Sequence, residues 1–96
     1  MFQQIREFIN DYVSSSNNKI TVDSDVIHNG KKLEYALSIN SYMASLSVLT
    51  DLTYDFFVGE VESEKIKSSK TLYFDNIEDL LRQIKADLDD FSEPKQ

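Results

Sequence analysis

The sequence predicts a two-layer α+β domain: an N-terminal helix, an antiparallel meander sheet of four to five strands, and a C-terminal helix, with both helices on one sheet face. Three observations carry this expectation. Apolar residues recur at three-and-four spacing in the first and last segments, and they alternate with polar ones between. Asn29-Gly30 falls between two alternating runs, a strong short-range hairpin signal. At 96 residues the chain fits one domain, 1–96, with 92–96 expected as a frayed tail.

The first helix places Phe2, Ile5, Phe8, Ile9, Tyr12 and Val13 on its buried stripe. Arg6, Glu7, Asn10 and Asp11 take the other face. Ser14-Ser15-Ser16-Asn17-Asn18 ends it, because these side chains compete for backbone hydrogen bonds.

The strands follow. Ile20 and Val22 alternate with Thr21 and Asp23, and Val26-Ile27 lead to the turn. A type I′ turn at Asn29-Gly30 needs two residues tolerant of positive φ. The return strand buries Leu33, Tyr35, Leu37 and Ile39 and exposes Glu34, Ala36, Ser38 and Asn40. Asn40-Ser41 turns the chain. Ala44, Leu46 and Val48 then alternate with Ser45, Ser47 and Leu49, and Thr50-Asp51 turns it again. Tyr54, Phe56 and Val58 share a face opposite Asp55, Phe57 and Gly59. The polar stretch Ser63–Lys70 reads as a loop or irregular turn, and Thr71–Phe74 as a last short strand.

The closing helix carries a sustained stripe of Ile77, Leu80, Leu81, Ile84, Leu88 and Phe91. Asp75 reads as its N-cap with Glu78 completing a capping box, and Pro94 marks its end. One sheet face should then remain open to water or to a partner.

Composition excludes whole classes of function. The chain has no cysteine, so disulfides and thiolate sites are out. A single histidine, His28, excludes two-histidine zinc motifs and makes a catalytic triad improbable. With 17 acidic and 10 basic residues the net charge is −7, which disfavours nucleic acid and anionic membranes as partners. Met1–Glu7 has neither the basic start nor the apolar stretch of a signal peptide, so a cytoplasmic protein is expected.

Candidate chemistry is sparse. Asp23, Asp25 and Glu34 match positions one, three and twelve of a calcium loop, but Ile27 and His28 fall where an oxygen ligand and a glycine are needed. These read as ordinary strand carboxylates, and His28 as a surface turn residue. The only glycines, Gly30 and Gly59, form no phosphate loop. Asp87, Asp89 and Asp90 read as a solvated, solubilising face. Lys65, Lys67 and Lys70 read as a solvated basic loop. No catalytic residue, metal or cofactor is expected, and the chain is not expected to be an enzyme.

The charge is unevenly spread. Residues 1–50 are net −1 and residues 51–96 net −6. Asp51, Asp55, Glu60, Glu62 and Glu64 lie on or beside one strand, and Phe57 shares the open face with Asp55. An exposed aromatic among carboxylates suits capture of a basic protein surface. These six are the candidate partner-binding residues.

Three segments carry a resemblance: Ser41-Tyr42-Met43-Ala44-Ser45-Leu46-Ser47-Val48, Leu52-Thr53-Tyr54-Asp55-Phe56-Phe57-Val58 and Phe74-Asp75-Asn76-Ile77-Glu78-Asp79-Leu80-Leu81. Together they resemble the TriTu family of bacterial immunity proteins, over roughly residues 1–91. Where such proteins often carry a tryptophan near the third strand, this chain has Val48-Leu49. The resemblance implies a cytoplasmic inhibitor of a toxin nuclease domain from a contact-dependent growth inhibition system. That toxin would be a tRNA-cleaving enzyme, with elongation factor Tu as a possible third component. The protein is expected to be a monomer when free. The competing expectation is a small acidic secretion chaperone, which would act as a dimer on an effector segment.

Overall fold

The computed structural model describes residues 1–15 and 19–92. Each stretch of apolar periodicity becomes an element. The order is α1 (Phe2–Ser15), β1 (Thr21–His28), β2 (Lys32–Ile39), β3 (Tyr42–Leu49), β4 (Thr53–Glu60), β5 (Ile66–Tyr73) and α2 (Ile77–Ser92). The five strands form one antiparallel sheet in the order β1-β2-β3-β4-β5. The expected α+β meander is therefore present, at its upper strand count.

One core joins the layers. Leu33, Tyr35, Leu37 and Ile39 of β2, Ala44, Leu46 and Val48 of β3, and Tyr54, Phe56 and Val58 of β4 are buried on one sheet face. Ile5 and Ile9 of α1 and Leu80, Ile84, Leu88 and Phe91 of α2 close over them. Each such aliphatic or aromatic side chain stabilises the fold by roughly 1.5–3 kcal/mol when fully buried. This shared face holds the helices to one side, and no described helix covers the other side of the sheet.

The turns follow local chemistry. Asn29 and Gly30 both adopt positive φ, 53° and 68°, and the Lys31 N–H donates to the His28 carbonyl at 2.9 Å. This is type I′ geometry, set within a three-residue turn. Asn40, also at φ 53°, occupies the next turn. After Thr50-Asp51, Leu52 takes φ 68°, which is costly for a side chain with a Cβ. Its neighbours hold it there: Leu52 N–H donates to the Leu49 carbonyl at 3.0 Å, and its own carbonyl accepts Phe74 N–H at 3.3 Å.

Several expectations need correction. Ser63–Lys70 is not one loop, because β5 begins at Ile66. As an edge strand left exposed over residues 66–69, it needs no apolar alternation. The N-cap of α2 is Asn76, not Asp75: Asn76 Oδ1 accepts the Asp79 N–H at 2.9 Å, and Asn76 Nδ2 donates back to the Asp79 carboxylate at 3.1 Å. Asp79 rather than Glu78 thus completes the cap. Ser92 belongs to α2 rather than to a frayed tail. The expectations for Ser16, Asn17, Asn18, Pro94 and the rest of 93–96 lie outside the described residues.

The outer face of α1 is not all solvent. Arg6 Nη2 donates to Asp25 at 3.1 Å, and the Tyr35 hydroxyl donates to Asn10 Oδ1 at 3.1 Å. A bulge at Asp23 explains the first contact. The β1–β2 register slips between Val22 and Ser24, which turns Asp25 to the helix side, opposite Tyr35.

Candidate protein-binding surface

Alternation fixes what the uncovered face carries. Residues across from one another run Val26, Glu34, Ser47, Asp55, Thr71 in one row and Ser24, Ala36, Ser45, Phe57, Ser69 in the next. Ser47 is buried here between the neighbouring side chains, whereas Val26 is exposed. The Thr71 hydroxyl donates to Asp55. Glu34 accepts from His28 Nε2 at 2.9 Å and lies 3.8 Å from Lys32 Nζ.

Phe57 lies along the sheet rather than standing out of it. A Cβ built on Gly59 would sit 3.3 Å from Phe57 Cε1. The missing side chain at Gly59 is what lets the ring settle there, half-buried. The open face thus sets Phe57 beside small polar residues, with Tyr73 exposed across from Thr53 and Met43 and Ile66 exposed beside Gly59.

The six candidate residues divide into three groups. Asp55 and Phe57 share the open face. Glu60, across from Tyr42, sits on the helix side at the end of β4, with Glu62 and Glu64 following in the exposed turn. Ser63 donates to Glu60 at 2.8 Å. Asp51 lies at the opposite end of β4, where its Oδ1 accepts the Thr53 N–H at 3.0 Å. Hydrogen bonding from the Thr53 side chain, then from its backbone N–H, holds the Asp51 carboxyl below the usual range. Asp51 is therefore removed from Glu60, Glu62 and Glu64 by the length of an eight-residue strand, roughly 25 Å.

The sequence reading missed a second feature, on the helix side. A groove of about 270 Å³ opens between β5 and the C-terminal half of α2. Tyr42, Phe56, Val58 and Phe91 supply its apolar walls, Lys67 and Lys70 one rim, and Asp87 and Asp90 the other. Asp87 is not solvated, as expected above, but 2% exposed. Its Oδ1 accepts from Lys70 Nζ at 2.7 Å and its Oδ2 from the Tyr54 hydroxyl at 2.7 Å, and Gln83 Nε2 reaches both at 3.2 Å. A buried carboxylate is tolerable only with such partners. Burial, then the bond to Asp87, pushes the Tyr54 hydroxyl well above the ordinary tyrosine range.

The signal for Asp87 was present in the spacing. It lies three residues after Ile84 and four before Phe91, within the apolar stripe. A carboxylate in that position calls for a buried partner. Lys70 likewise belongs to β5 and is not a loop residue. Asp89 is also engaged: the Tyr12 hydroxyl donates to it at 2.5 Å and Lys85 Nζ at 2.9 Å. Lys85, then Tyr12, holds its carboxyl low.

Among the described residues, no group of three or more histidine, aspartate or glutamate side chains is arranged to hold a metal ion. No helix among them is long and apolar enough to cross a membrane. No protein-family model matches the chain, and neither a curated protein nor a solved structure matches it. What the fold and surface define is a small acidic α+β domain with one uncovered sheet face and one mixed-charge groove.

Proposed function

We propose that this chain is an immunity-type inhibitor that binds a basic toxin nuclease domain and blocks its active-site cleft. The observation that carries the reading is the uncovered sheet face with Phe57 seated on Gly59 beside Asp55. An open sheet face that offers the Phe57 and Tyr73 rings among polar side chains suits a protein partner better than a small molecule. The net charge of −7 favours a basic surface and would steer its approach. The TriTu resemblance makes that surface a tRNA-cleaving toxin domain of a contact-dependent growth inhibition system. It also makes elongation factor Tu a component to test in the complex.

The test is co-expression with the C-terminal domain of a large exported protein encoded in the adjacent reading frame. Growth should be rescued. Alanine at Asp55 and Phe57 together, the two candidates on the open face, should abolish rescue while the protein stays folded, and adding Glu60→Ala tests the helix-side end of β4. Rescue by the double variant would move the interface elsewhere, and failure of the native protein to rescue would reject that pairing.

A further inference from the structure

The groove beside β5 already contains a cation. Lys67 Nζ lies 4.7 Å from the centroid of the Tyr42 ring. The sheet puts it there through a register slip: Val58 pairs with Ser68 and Gly59 with Ile66, so Lys67 is the extra residue of a bulge. Bulges re-aim side chains, and this one places Lys67 at the groove rather than letting it follow the strand alternation.

On the opposite rim Asp87 holds Lys70, but Asp90 holds no cation. Asp90 is exposed, and its carboxylate makes no hydrogen bond or ion pair among the described residues. Lys70, the other groove lysine, is committed to Asp87 at 2.7 Å. An aromatic face that accepts a cation therefore shares a groove with an unpaired carboxylate. The lysine now on the ring is held by no ion pair among the described residues and extends from an exposed strand.

We propose that this groove is a seat for an arginine side chain of the partner protein, occupied in the free protein by Lys67. The inference rests on the reading that the partner is basic. A guanidinium suits the seat better than an ammonium, because its plane can stack on Tyr42 while its fork meets Asp90. Phe56, Val58 and Phe91 would cover the methylene stem. Lys67 swings into solvent as the arginine enters. A partner gripping the β5 edge could fill this seat and still touch Phe57, which pairs with Ser69 of the same strand on the opposite face.

The probe is N-acetyl-arginine amide, titrated into the isotope-labelled full chain and followed by NMR, with N-acetyl-norleucine amide and N-acetyl-glutamate amide as controls. Arginine should shift Tyr42, Lys67, Asp90 and Phe91 selectively. Lys67→Ala should tighten binding about two- to fivefold by vacating the ring. Asp90→Asn, a surface change that leaves folding intact, should weaken it by a similar factor. Equal shifts from norleucine or glutamate, shifts confined to other regions, or weaker arginine binding in Lys67→Ala would each overturn the seat. The titration uses no toxin, so its failure is separable from a failed growth rescue.

Discussion

Lys70 Nζ lies 2.7 Å from Asp87 Oδ1 and fastens the edge strand to the closing helix. Asp87 has a side chain 3% exposed, whereas Lys70 is 35% exposed. The two ends of the pair are therefore unequal. Removing the lysine leaves a buried charge with only neutral donors, Tyr54 and Gln83.

Lys70→Met should cost about 3 kcal/mol, the low end for breaking a buried pair because the lysine is partly solvated. The double variant Lys70→Met with Asp87→Leu should recover most of that loss. Urea denaturation of the two variants checks the difference. Equal losses would mean that the pair is not the unit holding β5 to α2.

Tyr54 makes stability sensitive to alkali. Its folded pKa is raised by burial and by Asp87. A raised tyrosine contributes its full stability below the unfolded value, near ~10, and loses it as pH rises above that value. The urea midpoint should fall above about pH 10. Tyr54→Phe should flatten that fall while costing about 1–3 kcal/mol at neutral pH, because Asp87 loses a donor. An unchanged alkaline slope in Tyr54→Phe would contradict the assignment.

Asp89 acts at the other end of the scale. Its pKa is lowered by Lys85 and then by Tyr12. A lowered carboxylate stabilises the fold above the unfolded value, near ~3.9, and that contribution disappears as pH falls through the folded value. Asp89→Asn should remove part of the acid sensitivity and loosen α1 from α2, since Tyr12 bridges the helices through Asp89. Hydrogen exchange across α1 reads the second effect. Unchanged protection would show that the bridge carries no coupling.

Gly59→Ala tests the Phe57 seat. The new methyl would meet Phe57 Cε1 at 3.3 Å and the Lys65 carbonyl at 3.4 Å. The ring can give and the backbone conformation is ordinary, so stability should change by no more than about 1 kcal/mol. Partner binding should drop because Phe57 no longer lies flat. Full rescue of growth by Gly59→Ala would remove Phe57 placement from the account.

How much was legible depended on burial. Leu33–Ile39 and Tyr54–Val58 were readable because one face of each strand is packed and the other is not. Ile66–Ser69 were not, because an edge strand outside the helix layer imposes no apolar pattern. Asp75 and Asn76 are adjacent capping residues, and spacing could not choose between them. The bulges at Asp23 and Lys67 leave no mark in periodicity, yet they direct Asp25 to Arg6 and Lys67 to Tyr42. The place of Asp87 in the apolar stripe was legible, but its partners were not. Its partners Lys70 and Tyr54 are 17 and 33 residues away, and they meet it only through the β4–β5 register and the packing of α2 on the sheet. For the candidate surface, alternation correctly paired Phe57 with Asp55. It did not reveal that Asp51 and Glu60 stand at opposite ends of β4.

The most direct measurement is the association rate with a toxin nuclease domain that the protein neutralises on co-expression, taken at low and high salt. Association should be fast and should slow steeply as salt rises, and Asp55→Asn and Phe57→Ala should weaken the complex. A rate indifferent to salt, or an affinity untouched by both substitutions, would contradict electrostatic capture through the open sheet face.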